Sequence, residues 1–261
     1  MADEGAMALY GRGAELGNLK WYADDLVGTE ITDIAPARIR IHEATRRDTF
    51  FRLLREQAAS FKLKQLHVYS HAIGAGLFLG YKDEELKKAR GAIFSLRRGQ
   101  LANYTSVLQT EQGTVFTDDL IREPYKSYRA ALRKLFVADA YIKLWGCNAG
   151  VDGWVYSDES EHDPNTQVYA LDAPGKYYYW RSLNERNTPK PSIAQAFADY
   201  FGVKVFAATS GSHGQARLGG KWVNPTPEGK ITVKGRLRYI QEHDTIRLEP
   251  DKGKYREYLP R

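Results

Sequence analysis

Residues 139–150 read "DAYIKLWGCNAG", and the fold turns on this stretch. An apolar run rises through Tyr141, Ile142, Leu144 and Trp145. It stops at Gly146 and the chain's one cysteine, Cys147, and Asn148-Ala149-Gly150 follow as turn residues. A strand that ends on a thiol is the pattern to explain. Just before it, Tyr125, Tyr128, Leu132, Leu135 and Phe136 recur at helical spacing, which predicts an amphipathic helix feeding that strand.

The same alternation extends in both directions. Arg38–Ile41 alternates as a strand does. Thr45, with Asp48 three residues on, predicts a capping box for a helix whose apolar face carries Phe50, Phe51, Leu53, Leu54 and Ala58. Leu66-His67-Val68-Tyr69 predicts a short strand ending at Ser70-His71, with Ala72–Gly76 as a loop beyond it. Downstream, Ile193, Ala194, Phe197, Ala198 and Phe201 form a third helical stripe, closed by Gly202. Val203–Ala208 is then a strand leading to Thr209-Ser210-Gly211. Strands alternating with helices imply an α/β fold, a mostly parallel sheet covered by helices on both faces. Sites in such sheets lie beyond the carboxyl ends of the strands, where His71, Cys147 and Ser210 all fall.

The remainder is less regular. Residues 1–36 are rich in Gly, Ala and Asp and are expected to be a loosely structured lead-in, with one short element near Leu19–Leu26. Residues 82–122 and 151–191 look like insertions, the second with one aromatic strand at Tyr177–Trp180. The C-terminal part alternates through Trp222, Val223, Ile231, Val233, Leu237, Tyr239, Ile246 and Leu248, as β-hairpins do. The expected division is a lead-in over 1–36, a main domain over 37–225, and a hairpin extension over 226–261 packed on the same domain.

Composition narrows the function. The chain has 261 residues, 27% of them charged, and a net charge of +6, which suits a solvated basic face. No apolar run reaches the roughly 18 residues that span a bilayer. The first residues lack the basic and apolar regions of a signal peptide, so the expected location is cytoplasmic, or wherever a signal-independent export route delivers the chain. One cysteine excludes an internal disulfide and a cysteine-rich zinc site, and no metal or cofactor is expected.

A thiol of ordinary pKa, about 8.5, is only a few per cent thiolate at neutral pH. A histidine at a neighbouring strand end can take its proton or protonate a leaving group, for roughly 10²- to 10⁴-fold. Small residues around the sulfur (Gly146, Ala149 and Gly150) would let a substrate carbonyl approach, and backbone N–H groups at a sharp turn would hold the oxyanion.

The segments "LHVYSHAIGAGLFLG" (66–80) and "YIKLWGCNAG" (141–150) resemble the paired motifs of the caspase-like cysteine peptidases, among them caspases, gingipains, legumain and separase. They are most similar to a bacterial caspase-like domain family of large surface and adhesin-type proteins. That pattern has a strand, Ser-His-Gly, then Gly-x-Leu-x-Leu-Gly, a second strand with Gly-Cys-Asn, and later a Leu-Gly-Gly-x-Trp turn. Here Ser70-His71, Gly76–Gly80, Gly146-Cys147-Asn148, Val205–Thr209 and Leu218–Trp222 follow in that order. The resemblance covers roughly residues 37–225. It implies a three-layer α-β-α fold and a peptidase that acts on a protein or peptide, the chain itself included. It implies Cys147 as nucleophile and His71 as general acid/base. The N–H groups of Cys147 and Ala72 would bind the oxyanion, with Gly146, Ser210 and Trp222 beside the substrate. Ala72 stands where the family has glycine. Toxin-like relatives raise the further expectations of a delivered effector and of inositol polyphosphate activation through the basic C-terminal hairpins.

Rival readings accompany this one. His213, in "SGSHGQA", also follows a strand end and competes with His71. His162 lies among Asp158, Glu159, Glu161 and Asp163, read as a solvated loop. A catalytically degenerate caspase-like binding module is the first alternative function. The second is phosphate or nucleic-acid binding through Arg236, Arg238, Arg247, Lys252, Lys254 and Arg256 with Tyr239, Tyr255 and Tyr258. Nucleic acid is not the expected partner.

Overall fold

Parallel strands joined by helices set the architecture. The computed structural model describes residues 4–12, 18–80, 113–153, 155–158, 168–173, 176–179, 190–226, 230–241 and 243–261. The central sheet comprises β1 (Glu4–Tyr10), β2 (Ile39–Glu43), β3 (Lys62–Tyr69), β7 (Phe136–Leu144), β11 (Lys204–Ala207) and β17 (Arg256–Tyr258). Their order is β2-β1-β3-β7-β11-β17, with β17 alone antiparallel to its neighbour.

Among the described residues, four helices serve the crossovers: α1 (Asn18–Asp24), α2 (Arg47–Gln57), α3 (Tyr125–Arg133) and α4 (Ile193–Phe201). From β1 the chain steps one way to β2, and every later parallel connection steps the other way. A right-handed crossover then requires α1 on one face and the other three helices on the opposite face. The core divides accordingly. Met7, Leu9, Leu66, Val68, Ile142, Leu144 and Val205 pack with Phe50, Phe51, Leu132, Phe197 and Phe201 of α2, α3 and α4. Ala6, Ala8, Tyr69 and Trp145 pack instead with Ala23 and Leu26 near α1 and with Leu248 and Tyr255. The strand period of two sends alternate residues to the two sides. The molecule is therefore mixed α/β with a central, mostly parallel sheet. Helices cover one face; α1 and β-structure cover the other.

Several local expectations need correction. The lead-in contains β1, which lies inside the sheet between β2 and β3. Its small residues answer to packing, because a Cβ on Gly5 would lie 2.1 Å from the Phe61 ring and 2.5 Å from the Arg38 carbonyl. Thr45 does not cap α2. The helix starts at Arg47 with no side-chain cap, and Thr45 is pressed against Gly80, whose Cβ would meet the Thr45 carbonyl at 2.6 Å. Asp48 instead accepts the Tyr125 hydroxyl, while Arg47 pairs with Asp119 at 2.5 Å. The expected loop after His71 is a small antiparallel sheet of β4 (His71–Ile73), β5 (Gly76–Phe78) and β6 (Thr114–Phe116).

The helix end at Gly202 and the C-terminal hairpins agree with the sequence pattern. Gly202 ends α4 at φ +72°. The C-terminal strands β12 (Ser212–Leu218), β13 (Lys221–Val223) and β16 (Ile246–Pro250) form one sheet, and β14 (Lys230–Val233) and β15 (Arg236–Tyr239) form a hairpin. Where a loop with one aromatic strand is expected, β8 (Val155–Asp158), β9 (Val168–Ala173) and β10 (Lys176–Tyr179) make a three-stranded sheet, with β10 as the aromatic strand. The acidic loop around His162 lies outside the described residues. Among the described residues, no helix is long and apolar enough to cross a membrane. Among them, too, no three His, Cys, Asp or Glu side chains converge as around a metal ion.

Candidate active site

β3 and β7 run side by side, in register from Gln65↔Tyr141 to Val68↔Leu144. The Trp145 N–H donates to the Val68 carbonyl at 3.0 Å, so the two chains leave the sheet together. Gly146 comes next. A Cβ there would lie 2.4 Å from the Ala72 Cβ, 2.7 Å from the Ser70 carbonyl oxygen and 3.1 Å from the Ala72 nitrogen. Those atoms flank His71 on both sides. The residue before the thiol is thus glycine because the histidine segment occupies its side-chain space, not because a substrate needs that space.

The loop beyond is tied down from several directions. Asn148 takes the left-handed conformation at φ 58°, and its N–H donates to the Ser210 carbonyl at 2.7 Å. The Gly150 N–H donates to Ala208 at 2.8 Å, and the Ala149 carbonyl accepts the Ala194 N–H from the first turn of α4. Tyr258 of β17 donates its hydroxyl to the Gly150 carbonyl. A Cβ on Gly150 would collide with that hydroxyl at 2.3 Å, and Ala149 is fully buried. Like Gly146, both small residues are filled in by protein.

Cys147 itself is half-buried. Its Sγ accepts the Ser212 N–H at 3.2 Å. Among the described residues, no partner meets the Cys147 N–H. His71 opens β4, partly exposed, opposite Phe78 of the Gly76–Gly80 motif. Ala72 is buried, and its φ is not positive; among the described residues only Asn148 and Lys234 combine a side chain with positive φ. Its backbone therefore does not call for glycine.

A polar layer under the thiol was not anticipated. On the face of β7 away from the main core, the Lys143 ammonium lies 3.6 Å from the centre of the Trp145 ring and 4.6 Å from that of Tyr255. It donates to Glu30 Oε2 at 3.0 Å. Burial lowers the Lys143 pKa, an effect that Glu30 opposes. Burial also raises that of Tyr255, with a smaller contribution from Cys147 among others. Beside them His67 is fully buried and pushed down to about 3, first by desolvation and then by Lys143. Its Nδ1 accepts the Trp145 indole N–H at 3.2 Å, which leaves Nε2–H to donate to Gln65 Oε1 at 3.1 Å. His67 is thus a neutral core group. The only sequence signal for this layer was a lysine in mid-strand, at a place where apolar residues are the rule.

The remaining candidates divide. Ser210 lies at the Cys147 loop through its carbonyl, but its hydroxyl accepts from the Lys252 N–H at 3.1 Å and donates to the Gly211 carbonyl. Trp222 lies across from Arg217, at the opposite end of β12 from Ser212, with the Arg247 guanidinium 4.3 Å from its ring centre. His213 follows Ser212, yet strand alternation turns its ring to the other face of β12. There its Nδ1 is 2.9 Å from Asp251 and its Nε2 is 3.3 Å from Asn224. A separate cavity of about 320 Å³ lies on the helical side, lined by Leu120, Ile121, Pro191, Ala196 and Tyr200 among others. None of the residues lining it belongs to the thiol loop.

Comparisons with protein-family models, with curated proteins and with solved structures found no match to this chain.

Proposed function

We propose that the protein is a cysteine endopeptidase of caspase-like architecture, with Cys147 as nucleophile and His71 as general acid/base. One observation carries this reading: Gly146, immediately before the thiol, packs without room for a Cβ against Ser70 and Ala72, the residues on either side of His71. The sheet order supports it, because the histidine and the cysteine follow the carboxyl ends of adjacent parallel strands, at and next to the point where the crossovers reverse direction.

In this mechanism the Cys147 thiol gives its proton to His71 as Sγ attacks the carbonyl carbon of the scissile peptide. The oxygen gains the electron pair and is held by the N–H groups of Cys147 and Ala72. Collapse expels the amine, which takes its proton from His71 and leaves a thioester. His71 then takes a proton from water, whose oxygen attacks the thioester, and the carboxylate and free thiol are released.

The test is mass-spectrometric cleavage profiling of a peptide library. Products made by the wild type should vanish with Cys147→Ala, while the unfolding curve stays unchanged. His71→Ala should be nearly as damaging and His213→Ala mild. An active Cys147→Ala protein, or the reverse ranking of the histidines, refutes the assignment.

A further inference from the structure

We propose that the outer face of the β14–β15 hairpin docks on an anionic lipid bilayer surface. Residues 230–240 read "KITVKGRLRYI", which holds four cations and no acid. Cross-strand partners share a face, so the register Lys230↔Tyr239, Ile231↔Arg238, Thr232↔Leu237, Val233↔Arg236 divides the hairpin in two. The inner face is anchored. Ile231 is buried with Ala216 and Ile246, and Arg238 is clamped by both carboxylate oxygens of Asp244 at 2.6 Å. The outer face holds Leu237 and Tyr239, which are 62% and 60% exposed, with the Lys230 ammonium 5.0 Å from the centre of the Tyr239 ring. At the tip, Lys234 is exposed and among the described residues meets no acid; Arg236 is exposed too, but its register with Val233 sets it on the inner face.

This is an aliphatic and an aromatic side chain framed by cations that meet no acid among the described residues, on a hairpin held by Ile231 and Arg238. Headgroup phosphates suit the cations, the interface suits Tyr239, and the acyl boundary suits Leu237. A nucleic acid would use the cations and the ring but leave Leu237 in water. The structure also takes two of the six cations, and two of the tyrosines, out of the wider basic cluster that a nucleic acid would use. Arg238 and Arg247 are paired with Asp244 and Glu249, Tyr258 is buried, and Tyr255 is partly buried against the Trp145 cluster.

The experiment is co-sedimentation of the full chain with vesicles of phosphatidylcholine alone or with about 30 mol% phosphatidylserine, where each cation near the surface contributes about fivefold in partitioning. The chain should bind the anionic vesicles and not the neutral ones. Lys230→Gln/Lys234→Gln should weaken partitioning about 25-fold by the same arithmetic. Leu237→Ser should weaken it further with the thermal unfolding curve unchanged. Lys126→Gln/Lys134→Gln, which removes the same charge from exposed positions on and just after α3, should leave it unaltered. Equal loss in that control, indifference to Leu237, or binding to a single-stranded oligonucleotide but not to the vesicles overturns the proposal.

Discussion

Gly146→Ala tests the contact on which the site rests. The added Cβ would lie 2.4 Å from Ala72 Cβ and 2.7 Å from the Ser70 carbonyl oxygen, whereas carbon contacts are favourable near 3.5–4.0 Å. Something must move by about an ångström. The Ser70 oxygen is backbone at the end of an inner strand, so it yields poorly. Overpacking of this kind costs about 1–3 kcal/mol, and the upper end applies here. Ala72→Gly alone should cost about 1 kcal/mol through the lost buried methyl and the freer unfolded chain. In the double variant the shorter clash is gone and the Ser70 clash remains, so the two changes should couple favourably by about 1–2 kcal/mol. Urea unfolding followed by circular dichroism measures all three. A Gly146→Ala cost below about 0.5 kcal/mol, or strictly additive changes, would show that the thiol and histidine segments do not touch.

Other outcomes follow from the layer beneath the thiol. His67 is held neutral when folded, with its pKa near 3 against about 6.5 unfolded, so its contribution is complete above pH 6.5 and is lost as pH falls toward 3. Moving from pH 7 to pH 5 should remove about 2 kcal/mol through this group. His67→Gln should be less stable at pH 7 but lose less between the two pH values; an identical loss would count against a buried neutral ring. Glu30→Gln strips the counter-charge from Lys143 and should destabilise by roughly 2 kcal/mol, below the figure for a fully buried pair because both groups keep some exposure. Lys143→Met removes the charge itself and should be the milder change; chemical denaturation that ranks them the other way refutes the cation–ring arrangement.

The order of the sheet strands β2, β3, β7 and β11, and of α2, α3 and α4 between them, was legible because period-2 and period-3.6 patterns are local, and Gly202 announces a helix end by its own conformational freedom. The pairing of a histidine and a cysteine at strand ends was legible for a similar reason: the residue types and the ends of apolar runs are written in the chain. What it could not show was which partners fill the space around small residues. Gly5, Gly146 and Gly150 look like slack in one dimension, yet each is small because a Phe61 ring, the Ala72 methyl or the Tyr258 hydroxyl arrives from elsewhere in the chain. For the same reason β1 has the look of a loose lead-in. Its alanines and glycine carry little strand propensity, and only neighbours on both sides and both faces make it an inner strand. Local patterns suffice for the parallel α/β succession and for the two residues worth testing. Tertiary structure alone decided strand order, the anchoring of the thiol loop and the buried Lys143–Glu30 layer, because those depend on contacts between segments far apart in the chain.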